Sequence, residues 1–268
     1  MTFRRSFELA MLVVGLSFYA APAFPRDIGS FDRTLTVSGP VDLDVATGSG
    51  HITVRPGGAN DVHVHATISA SDWDSSGAEQ RAREIEANPP IRQTGNSIRI
   101  ERLSDFADRH ISISYEIETP AQTTLRARTG SGGETIEGIQ GPVTASTGSG
   151  GVRVSDVGAE VHADTGSGGI ELANIKGRVV ANTGSGGIRA NNLMAEVTAR
   201  TGSGGVQLQL PSAEGFDLHA RTGSGRVTVG PPITMDNFSA NQHDVRGRIR
   251  GGGPLIDVST GSGGVHVE

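Results

Sequence analysis

The sequence has no cysteine, and only one tryptophan and two tyrosines among its 268 residues. Without cysteine there can be no disulfide, no thiolate metal site and no lipid attachment at an N-terminal cysteine, so stability must come from packing and backbone pairing. Aromatic residues make up 4% of the chain and charged residues 19%, which excludes one thick core of large side chains. No apolar run reaches the roughly 20 residues that a membrane-spanning helix needs. Positive charge is scarce as well: 23 Lys and Arg stand against 29 Asp and Glu, a formal net charge of -6 and a pI near 5.8. Nucleic acid is therefore not expected as a partner, because affinity for it rests on clustered cations that neutralise phosphates.

Glycine is abundant, with 39 residues, about twice the usual share. Each would cost about 1 kcal/mol inside a helix, so a helical bundle is excluded. The N-terminal residues carry an address. Arg4 and Arg5 precede an apolar stretch from Leu9 to Ala21, and Ala21-Pro22-Ala23 offers the small residues that a signal peptidase reads. Residues 1–23 are read as a signal peptide, with a mature chain starting at Phe24 and no stable membrane span after cleavage. Arg4-Arg5-Ser6-Phe7 loosely resembles a twin-arginine signal, but Glu8 follows and general secretion fits better.

Repetition decides the fold. The tetrapeptide Thr-Gly-Ser-Gly starts at Thr47, Thr129, Thr147, Thr165, Thr183, Thr201, Thr222 and Thr260, with four successive spacings of 18 from Thr129 to Thr201. The next steps are 21 and 38, which read as a three-residue insertion near Pro211 to Gly215 and one divergent coil between Thr222 and Thr260. Within each period apolar residues recur two apart, as in strands. Eighteen residues are too few for a strand and a crossover helix but suit one coil of a β-solenoid, with equivalent residues about 4.8 Å apart. The expected stacks include Val143, Val161, Val179, Val197 and Val152, Ile170, Ile188, Val206. The fold class read from this pattern is all-β: a single-chain parallel β-helix with coils of about 18 residues and one short helix in the N-terminal half.

Three regions follow: a signal peptide over 1–23, an N-terminal β-rich part of the solenoid over 24–124, and regular Thr-Gly-Ser-Gly-Gly coils over 125–268. In the second region, Ala78, Ala82 and Ile85 lie at helical spacing between the candidate caps Ser75 and Ser76 and the stop Pro89-Pro90. A helix is expected near 75–88, covering an end or a side of the β-helix. If the alternation runs unbroken through the corner, Thr165 and Ser167 both point inward; a bend before Thr165 would instead turn out a flat hydroxyl array suited to ice or a glycan surface.

The Thr-Gly-Ser-Gly-Gly repeats are followed by an alternating apolar pair. They are preceded by Ile111-Ser112-Ile113-Ser114-Tyr115-Glu116-Ile117-Glu118-Thr119-Pro120 and a strand at Thr124 to Thr129. From about Leu35 onward these features resemble the bacterial putative-adhesin domains of unknown function, which are exported β-strand-repeat proteins. The resemblance implies a parallel β-helix and a role at the cell envelope. It brings no catalytic residues.

The residues point the same way. Glycoside hydrolysis needs two carboxylates about 5 to 10 Å apart, yet the outward positions beside the corner read Arg153, Glu171, Arg189, Gln207, with Glu134 one coil earlier at the position of Val152. His63 and His65 share one strand face, but two ligands do not define a metal site. The residues after Gly168-Gly169 are Ile170, Glu171 and Leu172, so the Asp of a calcium-binding nonapeptide is missing. No catalytic, cofactor or metal residue is assigned, and no enzyme activity is expected. The expected function is an exported, periplasmic or cell-surface, adhesin-like binding module whose partner is an envelope protein or glycan. The alternatives are a glycan- or ice-surface binder using stacked Thr and Ser rows, and a degenerate polysaccharide-active enzyme.

Overall fold

A computed structural model describes residues 26–70, 75–103, 111–230 and 235–268. The signal-peptide segment over 1–23 lies outside the described residues, as do the side chains of Ser75 and Ser76. The chain opens with β1 (Arg26–Thr36), β2 (Val41–Thr47), β3 (Ile52–Pro56) and β4 (Asp61–Ala70), then α1 (Ser75–Ala87). It continues with β5 (Ile91–Thr94), β6 (Ser97–Ile100), β7 (Ile111–Thr119), β8 (Thr123–Thr129) and β9 (Glu134–Glu137). The regular coils comprise β10 (Val143–Thr147), β11 (Val152–Val157), β12 (Val161–Thr165), β13 (Ile170–Ile175), β14 (Val179–Thr183), β15 (Ile188–Leu193), β16 (Val197–Thr201) and β17 (Val206–Gln209). Last come β18 (Phe216–Thr222), β19 (Val227–Val229), β20 (Met235–Ala240), β21 (Asp244–Ile249), β22 (Leu255–Thr260) and β23 (Val265–Val267).

These strands form two long sheets, of 11 and 12 strands, and the described residues are nearly all β with a single short helix. Every Thr-Gly-Ser-Gly is the corner at which the chain leaves the 12-stranded sheet and enters the 11-stranded one. The coil pairs follow one another as β2 and β3, β8 and β9, β10 and β11, β12 and β13, β14 and β15, β16 and β17, β22 and β23, and β18 and β19. The register is that of the repeat: Val143 pairs with Val161, Val161 with Val179 and Val179 with Val197, while Val152, Ile170, Ile188 and Val206 line up in the other sheet. All of these side chains are buried and make the core between the sheets.

The spatial order departs from the sequence order at both ends. The Thr47 coil stacks directly on the Thr129 coil, although β4 to β7 intervene in sequence. The Thr260 coil sits between those of Thr201 and Thr222. Among the described residues no divergent solenoid coil lies between Thr222 and Thr260; β20 and β21 there form an antiparallel pair that caps β18. The opposite end is closed by the antiparallel strands β1, β4 and β7 in one sheet and the β5–β6 hairpin in the other. The helix lies along β1 with Ala78, Ala82 and Ile85 buried. Its Glu86 carboxylate accepts the N–H of Ser30 at 2.8 Å, which blocks part of a sheet edge that would otherwise offer its backbone to other chains.

The eight threonines form one column, and each is only 4–7% exposed. The hydroxyls of Thr147, Thr165, Thr183 and Thr201 donate to the carbonyls of Gly132, Gly150, Gly168 and Gly186 of the adjoining coil at 2.8 Å. Each also accepts the N–H three residues on, that of Gly150, Gly168, Gly186 or Gly204, at 3.1 Å. Both hydrogen-bonding capacities of the buried hydroxyl are thus used, as burial requires. This local turn also ends the alternation at the threonine. Ser167 is exposed while Thr165 is buried, so the expectation of an inward serine is corrected, and the threonine row is not available as a surface array.

A second turn shows equal regularity. Gly138, Asp156, Asn174 and Asn192 all adopt positive φ, at 70°, 57°, 55° and 51°, a region that glycine, Asn and Asp enter at least cost. Asn174 donates to Asp156 and Asn192 to Asn174, each at 2.8 Å.

The two glycines that close the corner are constrained differently. A Cβ on Gly168 would lie 1.7 Å from the carbonyl oxygen of Gly150, whereas one on Gly169 would meet only the Gly187 oxygen, at 3.5 Å. Gly168→Ala should lower the melting temperature by about 5 °C or more, as forced backbone separation costs upward of about 1–3 kcal/mol. Gly169→Ala should shift it by no more than about 2 °C. Scanning calorimetry on the two variants checks the contrast; equal losses would contradict the stacking described.

Candidate functional site

The fifth residue of each corner lines a groove on the surface. Gly133, Gly151, Gly169, Gly187, Gly205 and Gly264 follow one another along the stack, with His51 at one end of the row and Arg226 at the other. Two open depressions of about 250 and 300 Å³ meet at Gly169 and Glu171 and together follow this row. Backbone geometry does not demand glycine there. None of the six has a left-handed φ; a Cβ on Gly151, Gly169 or Gly264 would make ordinary contacts of 3.4–3.5 Å, whereas on Gly187 or Gly205 it would lie 3.3 Å from the adjoining coil's carbonyl oxygen, and on Gly133 3.3 Å from that of Gly151 and 3.0 Å from the His51 ring. His51 and Arg226 occupy the same position with full side chains. What the glycines provide is open space.

One wall of the groove carries Arg153, Glu171, Arg189 and Gln207, in register across four coils. Arg153 binds a Glu171 carboxylate oxygen through Nη2 at 2.7 Å and Nε at 2.9 Å, and Arg189 stands 4.0 Å from the other. These groups are about half exposed, where such pairs contribute roughly 0.2–1 kcal/mol. The outward residues named from the sequence thus form a cross-coil charge ladder, with Glu171 held between two guanidiniums.

Glu134 also borders the groove, but its side chain points the other way. Register places it between Ile52 and Val152 in the inward column, 1% exposed. Neither carboxylate oxygen has a hydrogen-bond partner. Burial pushes its pKa up to about 8, opposed by the nearby backbone of Ser146 and Thr129 and by the Arg128 guanidinium. Glu134 is thus a neutral acid in an apolar stack. With no exposed oxygen it cannot pass its proton to a molecule in the groove, and so it does not form a catalytic pair with Glu171.

On the 12-stranded sheet the outward positions Arg128, Ser146, Asp164, Asn182 and Arg200 vary from coil to coil. Arg128 pairs with Asp44 at 2.7 Å, Asn182 donates to Asp164 at 2.9 Å, and His162 contacts Asp164 at 2.7 Å. His63 and His65 lie outward on β4, where the fold brings Asp32 of β1 beside both.

The family model for the Toastrack domain, DUF4097, matches residues 41–268. The chain belongs to this family. The matched span takes in all eight Toastrack coils and both end caps except β1. Among solved structures, a putative cell adhesion protein from Clostridium sporogenes ATCC 15579 is similar at 12% identity and a TM-score of 0.36, over 91% of this chain and 99% of that one. A putative adhesin from Bacteroides fragilis NCTC 9343 gives 12% identity and a TM-score of 0.42, over 89% and 97%. Another from Parabacteroides distasonis ATCC 8503 gives 9% and 0.43, over 89% and 97%. A comparison with the curated proteins found no match. The Toastrack assignment agrees with the family resemblance drawn from the repeats.

The sequence sets Glu134 one coil earlier than Val152, among the positions weighed for a catalytic carboxylate pair rather than for the core. The signal for its burial was there, since 18 residues separate it from Val152. The groove left another trace: the fifth glycine gives way to His51 and Arg226, in the coils that stand at the two ends of the stack.

Glu134 generates a pH prediction. Its folded pKa, about 8, lies above the ordinary value of 4.5. Its contribution to stability is therefore fully present below about pH 4.5 and is lost as pH rises through about 8, at roughly 1.4 kcal/mol per pH unit within that window. Melting temperatures between pH 5 and pH 9 should fall more steeply for the native chain than for Glu134→Val, with the variant the more stable at pH 9. Parallel profiles would contradict the burial.

Proposed function

We propose that the chain is a non-catalytic, exported binding module of the bacterial cell envelope, adhesin-like in use, which holds an envelope protein or glycan along the corner groove. The observation that carries this reading is the run of six glycines, none with a left-handed φ and three with room for a Cβ, that leaves the groove open. Five steps of about 4.8 Å span the six glycines from Gly133 to Gly264, giving a bare track about 24 Å long between His51 and Arg226 that suits an extended polymer better than a small molecule. Along it Arg153, Glu171, Arg189 and Gln207 offer donors and acceptors of both kinds. Contact spread over repeated coils is how solenoids usually bind, whereas catalysis needs a few groups converging on one point.

Export is supported by Arg4, Arg5, the apolar stretch from Leu9 to Ala21 and the small residues Ala21 and Ala23. No helix among the described residues is long and apolar enough to cross a membrane. Expression in a bacterial host with intact-mass measurement of the exported protein should give a chain beginning at Phe24; a retained residue 1–23 segment would remove this support.

The groove is tested by filling it. Gly151→Arg and Gly169→Arg place side chains where His51 and Arg226 already stand, so melting should change little. Capture of envelope proteins and binding on a glycan array should both be measured, and whichever the native protein shows should fall about tenfold or more in the variants, a loss of about 1.4 kcal/mol. Undiminished binding would dismiss the groove. Polysaccharide turnover by the native protein, abolished by Glu171→Gln, would overturn the non-catalytic reading.

A further inference from the structure

The wall of the corner groove has a period of its own, twice that of the stack. In register from coil to coil it runs Arg153, Glu171, Arg189, Gln207, His266. A basic side chain therefore stands on every second coil, at intervals of about 9.6 Å, and the coils between them carry a side chain with an acceptor oxygen. Arg153 commits Nε and Nη2 to a single oxygen of Glu171, Oε2, which leaves its Nη1 and the Oε1 of Glu171 unengaged by that pair. Arg189 reaches Oε1 only at 4.0 Å and its side chain is 75% exposed. His266 leans on Glu268 at 3.4 Å. The two depressions along this wall are lined by two guanidiniums against one ionised carboxylate, because burial keeps Glu134 protonated at neutral pH. The groove thus holds an excess of positive charge in a chain whose formal net charge is -6.

Building on the groove reading above, we infer that the ligand is an anionic glycan in which a carboxylate-bearing sugar alternates with a neutral one. In a glycan joined through equatorial oxygens each pyranose advances by about one ring width, close to one coil step, so every second sugar returns to an equivalent place over the stack. Carboxylates at that interval meet Arg153 and Arg189, whose guanidiniums take carboxylates through paired N–H donors. The neutral sugar between them lies over Glu171, where its hydroxyl or amide protons donate to Oε1. A polymer that is acidic on every sugar sets a carboxylate against Glu171 and loses affinity to like-charge repulsion. One exposed pair of this kind contributes little; repetition along the coils supplies the rest.

The test is calorimetric titration of the full exported chain at pH 7 with three octasaccharides. They are hyaluronan, in which glucuronate alternates with N-acetylglucosamine, the same chain with its carboxyl groups reduced to alcohols, and β-1,4-linked mannuronate, which is acidic on every sugar. Hyaluronan should bind saturably, the reduced chain about tenfold or more weaker, and mannuronate weaker than hyaluronan despite its greater charge. Arg189→Gln should weaken hyaluronan about fivefold or more and leave the reduced chain unchanged, which distinguishes a lost charge from a lost fold. Glu171→Gln should raise the affinity for mannuronate relative to hyaluronan. Arg178→Gln, beside Glu196 on the other sheet, should alter none of the three. Equal affinity for the acidic and reduced chains, hyaluronan binding unaltered by Arg189→Gln, or no glycan binding at all overturns the anionic assignment. Gly169→Leu, which fills the groove without adding charge, separates this from failure of the groove itself. Loss of both hyaluronan and reduced chain in that variant, where the native protein binds the two equally, keeps the groove and removes the acid requirement; hyaluronan binding undiminished by Gly169→Leu removes the groove as the site. The substituted positions are exposed, so the variants should fold, and circular dichroism of each checks it.

Discussion

The hydroxyl of the corner threonine is the contact on which the stack depends. It closes a turn within its own coil by accepting a glycine N–H, and it joins that coil to the adjoining one by donating to a glycine carbonyl. One side chain therefore fixes where the strand stops, which way the chain turns and at what height the next coil sits. A row of such bonds, each contributing about 1 kcal/mol net, is modest beside the burial of valines and isoleucines in the two sheets. Its importance lies in specification. Strand pairs slip easily when nothing marks the register, and here the mark recurs once per coil. The glycine before the corner's end must then be bare, because the coils approach to contact between backbone atoms.

With the interior so determined, the outward positions are free to differ, and they do. Neighbouring coils carry Arg, Ser, Asp and Asn at one outward position and Arg, Glu, Arg and Gln at another. Opposite charges meet across coils in several places, which keeps the faces soluble and adds a little to cohesion. Among the described residues Glu134 is the one ionisable side chain buried in the core. A carboxyl in a Val and Ile column adds nothing to packing and makes the stack sensitive to alkali.

Much of this was legible in the sequence because a period of 18 with inward residues two apart admits few folds. The stacks through Val161 and Ile170, the short helix over Ala78, Ala82 and Ile85, and the Arg153–Glu171 ladder all follow from spacing alone. Ser167 was misread because strict alternation was carried through a corner; the Thr165 hydroxyl, by capturing the Gly168 N–H, ends the strand two residues sooner. The placement of the Thr260 coil was not read, since the Thr-Gly-Ser-Gly that marks each coil is the same in all eight; the one corner difference that bears on it, Arg226 in place of the fifth glycine, sits in the coil at the end of the stack. What singles out its slot is side-chain detail: Asp257, only 18% exposed, lies near Arg200 of one neighbouring coil and near His219 and Arg221 of the other. The meeting of Asp32 with His63 and His65 depends on an antiparallel register between β1 and β4 that neither strand announces.

The insertion of β22 and β23 between β16–β17 and β18–β19 changes how the stack can come together. A solenoid in sequence order can zip from any starting coil by adding the next one along, each step closing a loop of one period. Here that process runs from Thr129 to Thr201 and halts, because the coil that comes next in the chain does not belong next in space. Residues 216–229 join the Thr201 coil only through residues 255–267, which lie between them in the stack. At the other end, Thr47 waits for Thr129 across more than four periods of chain. Both boundaries of the regular stack are thus sealed by contacts between distant segments, which form slowly because the chain entropy of closing a long loop precedes any gain. The same arrangement resists fraying, since a coil at either boundary cannot peel away as a free chain end.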